Sequence, residues 1–433
     1  MARVPVPGSQ QYCFPWWHWV EPWYVAYALL GTTATGSVPI VVPLAISRLG
    51  STADVGLVMA AISLGGLTAP LWGGLADRYR LHRWLLGGGC IVTALGLALL
   101  PFTTSRAAWL GLALLQGLGV AGATTVATLF VVEVHPEAEW DERLAWLYTF
   151  YDGGHVSGLL LAAWVSQSDW RLSLPVLAGG TVVAAGLGWW ATHTPPAPLL
   201  PTYRLLHAAQ HEAWALGAPQ RLSQHLGWQE LRWLGTVLRT PFCLFLAAWL
   251  LSIMGSSAFF AFYPVLMQEV FGIAVWQSSS VFALAVGLRL FLYASAGHWS
   301  EAYGPVLVLR TALGVRLLVF LTILSLGCSP VRSQSALAVM GVPLIVLPWS
   351  LLSVSSTALT AHLSPVGEGT GMGMLNATSA IAGMLGAMVG GWLAAHWGYH
   401  AVLGLAVAGL AVGLALAWRI RPGHRAVNGR PTP

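Results

Sequence analysis

Asp152 and His155 lie three residues apart in a stretch that is otherwise apolar, residues 144–166, and Arg289 stands alone in another apolar stretch. Residues three apart on a helix share a face. Ionisable groups inside hydrocarbon are costly; they face a cavity or a partner and mark proton and substrate pathways. In such a setting a carboxylate can exchange a proton, an imidazole can relay it or contact a solute, and a guanidinium can pair the carboxylate. The same three residues also fit a static buried ion pair that orients two helices beside a structural histidine. Elsewhere the chain has no phosphate-binding glycine loop, no metal-spaced His/Cys cluster and no nucleophile–base pair. It therefore points away from an enzyme, from a bound metal and from a cofactor.

The elements that must hold these residues are set by composition. Of 433 residues, 56% are hydrophobic and only 8% are charged, with a mean hydropathy of +0.70; a soluble domain carries about 25% charged residues. The 49 glycines and 23 tryptophans suit close helix contacts and lipid–water boundaries. Apolar windows of about 20 residues fall near 25–47, 53–75, 84–103, 107–132, 144–166, 172–193, 241–267, 275–299, 305–327, 334–359, 370–396 and 400–419. An all-α integral membrane protein with twelve transmembrane helices in two six-helix halves is expected. Counting from Leu144, Asp152 lies about 12 Å deep at 1.5 Å per residue, close to the midplane. The aromatic run Trp16-Trp17-His18-Trp19 to Trp23-Tyr24 reads as an interfacial anchor for the first helix.

A polar segment separates the sixth and seventh spans. It opens with Pro195-Pro196-Ala197-Pro198 and carries Leu222, Leu226, Leu231, Leu234 and Leu238 at helical spacing among charged residues, the pattern of a surface amphipathic helix. The division is 1–193 for the N-terminal half, 194–240 for the cytoplasmic linker, 241–420 for the C-terminal half and 421–433 for a tail. All twenty basic residues are arginines. With both termini inside, thirteen fall on cytoplasmic loops and tails and four (Arg48, Arg106, Arg171 and Arg332) on outer loops, the sense of the positive-inside rule in a cell membrane. The net charge of +5 then belongs to topology, not to nucleic acid. The four cysteines, Cys13, Cys90, Cys243 and Cys328, are too scattered for a disulfide framework or a zinc site.

Gly73-Gly74-Leu75-Ala76-Asp77-Arg78-Tyr79-Arg80-Leu81-His82-Arg83 is a dense polar turn after the second span, and Gly297-His298-Trp299-Ser300-Glu301 echoes it after the eighth. Trp170-Arg171 and Tyr399-His400 match in the same way. Such an internal duplication is a transporter architecture. The G-x-L-A-D-R pattern resembles the loop between the second and third helices of the major facilitator superfamily of transporters. That resemblance extends over nearly the whole chain, with Arg80 standing where the family usually has glycine.

The resemblance implies a cytoplasmic gate built from Gly73, Asp77, Arg78 and Arg83, with Glu133, Arg143 and Glu301 as partners, that latches the halves when the cavity opens outward. Asp77 would meet the dipole of a helix starting on the same face, and Arg143 would stand close to Glu301. It also places the fifth and eighth helices at the boundary between halves, so that Asp152 and Arg289 would approach across it, with His155 as relay or substrate contact. Gln116-Gly117, Gly154 and Gly158 match family signatures, whereas Ala113 and Leu159 depart from them. Helices 1, 4, 7 and 10 would line the cavity with Thr33, Gln116, Ser257, Tyr263 and Trp349, joined by Asn376 from the eleventh. This lining of hydroxyls and aromatics suits an amphipathic organic solute. The expected function is a monomeric secondary transporter in the lipid bilayer, coupled to protons and working by efflux. Uptake of a metabolite or sugar is the alternative, and a non-transporting membrane enzyme or receptor the alternative of another class. Arg310 would snorkel to the surface; Arg316, about 9 Å deeper, has no assigned partner.

Overall fold

A computed structural model describes residues 19–79, 82–135, 139–167, 170–192, 240–327, 334–365 and 368–420. The linker and tail expected at 194–240 and 421–433 therefore lie outside the described residues, apart from Thr240. In hydrocarbon every backbone N–H and C=O must be satisfied within its own segment, so the long apolar runs become helices. Among the described residues they form twelve rods: α1 (Tyr24–Leu49), α2 (Thr52–Gly66 continuing as Ala69–Tyr79), α3 (His82–Leu99), α4 (Arg106–Val134), α5 (Trp140–Val165), α6 (Trp170–Ala191), α7 (Pro241–Phe271), α8 (Val275–Tyr303), α9 (Pro305–Gly327), α10 (Gln334–Val346 continuing as Trp349–Leu363), α11 (Glu368–Trp397) and α12 (Tyr399–Arg419). Eleven of the rods are apolar enough to cross a membrane. The exception is α5, whose hydropathy is lowered by Asp152 and His155, the residues that drew attention in the sequence.

The joints have local causes. Gly272, Gly304 and Gly398 take left-handed backbone conformations (φ 64°, 83° and 78°) that close the turns after α7, α8 and α11, positions that glycine occupies at no steric cost. In α10, Pro343 and Pro348 each remove an amide donor, and the rod breaks between Val346 and Trp349. The middle of α1 is a π-helix, Thr32–Ser37. There the hydroxyls of Thr32, Thr33 and Thr35 each donate to the carbonyl four residues back, and Pro39 follows without an amide to give. Back-bonding threonines and a proline loosen a helix where they cluster.

The two halves repeat one packing scheme. Helix α1 lies on α5 and α6, α2 on α4, and α3 on α4 and α6; six positions on, α7 lies on α11 and α12, α8 on α10, and α9 on α10 and α12. The halves meet where α2 touches α11, where α5 touches α8, and where the second part of α1 touches α7. The face holding Trp23 and Ile420 is called here the terminal face. One apolar core runs through the C-terminal half from Phe271 to Ile420 and takes in Ile40, Ile46, Val55 and Val58 of the N-terminal half toward the other face. At the terminal face the N-terminal half keeps a core of its own around Tyr24, Ala76 and Val126. Among the described residues, then, the apolar core shared by the two halves lies toward the other face, and the N-terminal half has a separate one at the terminal face. Trp23 and Tyr24 are 1% and 0% exposed and pack on Phe130 and Phe150, so this part of the aromatic run is core, not an interfacial anchor.

Candidate functional site

Glycine sets the position of α5. A Cβ on Gly154 would lie 1.9 Å from the Ala28 carbonyl oxygen, and one on Gly158 would lie 2.0 Å from that of Thr32, so only glycine lets α5 lie this close to the π segment. Hydroxyls then bind the two helices: Thr32 and Ser157 hydrogen-bond at 3.0 Å, and Ser37 donates to the Gly158 carbonyl at 2.9 Å. Thr33 is buried, accepting from Thr181 of α6.

With α5 fixed, Asp152 points at α8. Arg289 Nη2 lies 3.4 Å from each carboxylate oxygen, a contact that spans the two halves, with side-chain exposures of 10% and 19%. Both side chains are part-buried, with Tyr293 within electrostatic reach of both and Tyr27 and Tyr151 within reach of Asp152. His155, one turn along α5, sets its ring edge-on to Phe282 at 5.9 Å. Two nitrogens here are buried without any partner, His155 Nε2 and Arg289 Nε.

His155 borders a pocket of ≈ 230 Å³ with Ala34, Thr35, Pro39 and Ile40 of α1, Phe260 and Tyr263 of α7 and Phe282 of α8. Of the expected lining, Tyr263 borders it, its hydroxyl donating to the Ser278 carbonyl at 2.8 Å. Ser257 is half-buried and Asn376 exposed. Gln116 is 1% exposed and packed against Gly96 of α3, its amide unpartnered. Trp349, after the break in α10, lies with its ring tilted 40° to that of Trp249, centroids 6.3 Å apart. Phe282, Pro39 and Ile40 were not legible beforehand, because one more apolar residue in an apolar helix carries no signal of its own.

Among the described side chains of the terminal face, the ion pairs join groups of one half. The side chains of Asp77, Arg78 and Glu133 lie outside the described residues, as does Arg80. Gly73 faces Thr125 and Leu129 of its own half. Arg83 stacks on Trp189 of α6 at 4.3 Å. Arg143 is buried and engages Glu139 at 2.8 Å and Glu21 at 3.3 Å, whereas Glu301 is exposed. Glu21 also accepts from Trp23 Nε1 at 2.6 Å and pairs with His135. This cluster ties the ends of α1, α4 and α5 within one half. Glu21 sat unremarked in the aromatic run, and only folding shows that it faces Arg143.

Burial alone would push the Glu21 carboxyl up, but hydrogen bonds from His135 and Trp23, with the charges of His135 and Arg143, outweigh it and hold the group below its ordinary value of 4.5. A carboxyl lowered in the fold stabilises it fully above that ordinary value and loses the contribution as pH falls through the depressed one. Glu21→Gln is therefore expected to lower the melting temperature at pH 7 and to flatten its decline in acid. A melting temperature that falls as steeply in the variant as in the parent would contradict this.

At the opposite face Ser51 and Asp54 form a capping box, and Asp54 binds Arg106 at 2.5 Å. The S-T-A-D spacing is the signal that would have marked it. A Cβ on Gly56 would fall 2.5 Å from the Ala387 carbonyl oxygen, so α2 and α11 are in backbone contact there. Arg310 caps α12, donating to the carbonyls of Ala417, Trp418 and Ile420, as basic side chains at a helix C-terminus do. Arg316 is 1% exposed with its guanidinium 6.0 Å from the Trp349 ring and with Nε and Nη1 unpartnered. Among the described residues no group of three His, Cys, Asp or Glu is placed to hold a metal.

Twelve helical rods in two like-packed halves, with a charged pair and a pocket between them, define a duplicated multi-pass membrane protein of the transporter class. Residues 23–367 match the Major Facilitator Superfamily, and the chain belongs to that family. Among solved structures, a mutant of the nucleoside transporter NupG is similar with a TM-score of 0.72 and 13% identity, over 92% of this chain and 99% of that one. A D-xylose–proton symporter is similar with 0.67 and 14%, over 92% and 96%. A bacterial homolog of the human lysosomal transporter Spinster, inward-facing and occupied, is similar with 0.63 and 15%, over 94% and 95%. No curated protein matches the sequence.

Proposed function

We propose that this transporter moves a small amphipathic organic solute by alternating access, coupled to protons through Asp152. The observation that carries the proposal is the Asp152–Arg289 contact across the two halves at 3.4 Å, next to the pocket that His155 borders. A carboxylate held by one guanidinium across a moving boundary keeps its proton or loses it according to how the halves stand. The chain divides as 1–193, linker 194–240 and 241–420, and it works as a monomer in the cell membrane. The arginine bias puts the terminal face on the cytoplasmic side; on that reading the molecule is closed outward and open inward, with its cytoplasmic gate parted.

Export by proton exchange is one direction, and the apolar lining suits it. Uptake with a proton is the second, and the unused Nε of Arg289 favours it. Proteoliposomes with the pH dye pyranine inside, challenged with acidic, neutral and basic ring compounds, test the proposal. At least one compound is expected to move protons with it under an imposed pH gradient. Flux with no linked proton movement would contradict the coupling, and turnover of ATP or covalent conversion of a lipid would contradict transport altogether.

A further inference from the structure

We infer that the solute is a small organic monoanion, a flat ring bearing one carboxylate or sulfonate, and that Arg289 takes its charge; the inference rests on the transport reading above. Arg289 presents only Nη2 to Asp152, and at 3.4 Å to both oxygens the contact is longer than the roughly 2.7–2.9 Å of a good charge-assisted bond. Its Nε is buried with no acceptor. One turn away His155 Nε2 is buried and unpartnered as well. His155 is part of the pocket lining. Arg289 is not, but it sits behind it, paired with Asp152 one turn along α5 from His155 and within electrostatic reach of His155. An anionic headgroup at the His155 end of the pocket is therefore the group that reaches toward it. A neutral carbonyl accepts a hydrogen bond but brings no charge to meet the guanidinium, and a cation is repelled by it. A carboxylate or sulfonate supplies acceptors and the opposite charge together.

The walls select the rest of the molecule. Phe260 and Phe282 stack at 5.6 Å, and Tyr263 stands edge-on to Phe282 at 5.3 Å. Because the Tyr263 hydroxyl is taken by Ser278, the pocket is offered its ring. The ≈ 230 Å³ volume is below the roughly 300–1,000 Å³ of drug-sized sites, which suits a single ring. Charge fixes the stoichiometry. Near Asp152 are Arg289 and Tyr293 from α8, Tyr27 from α1 and Tyr151 from α5 itself, with His155 one turn along α5 within electrostatic reach of Arg289, so Arg289 is the cation at hand. Two carboxylates cannot both ionise fully against one guanidinium. The anion therefore binds as Asp152 takes a proton, and the two travel together.

Calorimetric titration of the full chain in lipid nanodiscs with benzoate, benzenesulfonate and benzamide tests this. Benzoate or benzenesulfonate is expected to bind at least ~10-fold more tightly than benzamide, about one charge-assisted hydrogen bond, with uptake of about one proton. Arg289→Gln, which removes the cation, should bring that ratio near one, whereas Arg289→Lys, which keeps the charge but not the fork, should retain part of it. Asp152→Asn should tighten the anions and abolish the proton uptake. Benzamide binding as tightly as the anions, or none of the three binding, overturns the inference. If that happens while ring compounds still move protons in proteoliposomes, the transport reading stands without it. If benzoate binds through Arg289 but no compound moves protons, the anion site stands and the transport reading fails.

Discussion

In the proteoliposome assay, Asp152→Asn is expected to abolish accumulation driven by the pH gradient, by about 100-fold, near the top of the ~5–150-fold range of linkage between sites. Asparagine keeps the size of the side chain and removes the proton site. Exchange of solute down its own gradient should survive, because the halves and the pocket are untouched. The substitution also leaves Arg289 facing a neutral amide while part-buried. Breaking a buried pair on one side costs about 3–5 kcal/mol, so some loss of thermal stability is expected with it. Asp152→Asn combined with Arg289→Gln removes that orphan charge, and should recover stability without recovering coupling. The two effects are thereby separable: coupling follows the carboxylate, stability follows the pair. Gradient-driven accumulation at the parent level in the single variant would eliminate Asp152 as the proton carrier.

Gly154→Val should give the largest effect on the fold. A Cβ at that position would lie 1.9 Å from the Ala28 carbonyl oxygen, and a backbone oxygen cannot swing aside as a side chain can. Helices α1 and α5 would have to part, breaking the Thr32–Ser157 and Ser37–Gly158 hydrogen bonds and withdrawing Asp152 from Arg289. Overpacking of this kind costs about 3 kcal/mol or more. The comparison that isolates the cause is one residue away. Gly153 has nothing within 4 Å of its Cβ position, so Gly153→Ala should change stability by no more than about 0.5 kcal/mol. Melting curves of the two purified variants decide the matter, and equal losses would mean that the close approach of α1 and α5 is not what holds the site.

Much of the fold could be read from the chain because lipid leaves few alternatives. A stretch of about 20 apolar residues in a membrane is a helix whatever its detailed sequence, and the rods lie where the apolar windows fell. Asp152, His155 and Arg289 stood out for a related reason: in a chain with 8% charged residues, each ionisable group inside a span is conspicuous. The partners of surface charges were a different matter. Arg143 is engaged by Glu21 and Glu139, while Glu301, expected nearby, belongs to the other half and is exposed. Which acid meets which arginine at a helix end depends on how the halves stand, and spacing along the chain does not encode that. The π segment of α1 was also hidden. Thr32, Thr33 and Thr35 are visible as hydroxyls, but whether they line a cavity or bond to their own backbone is settled only when α5 packs on them. The aromatic walls Phe260 and Phe282 are two of 13 phenylalanines, and nothing in composition singles them out.

The central claim is that the two faces open in turn and that the proton on Asp152 biases the choice. Electron-paramagnetic-resonance distances between spin labels on the two faces test it most directly. One pair joins Arg48 in the N-terminal half to Gln268 in the C-terminal half at the closed face. The other joins Leu75 to Glu301 at the terminal face. All four positions are exposed. As the pH falls, and in Asp152→Asn at any pH, the first distance should lengthen while the second shortens. Distances that stay fixed, or that change at one face without the other, would contradict the account.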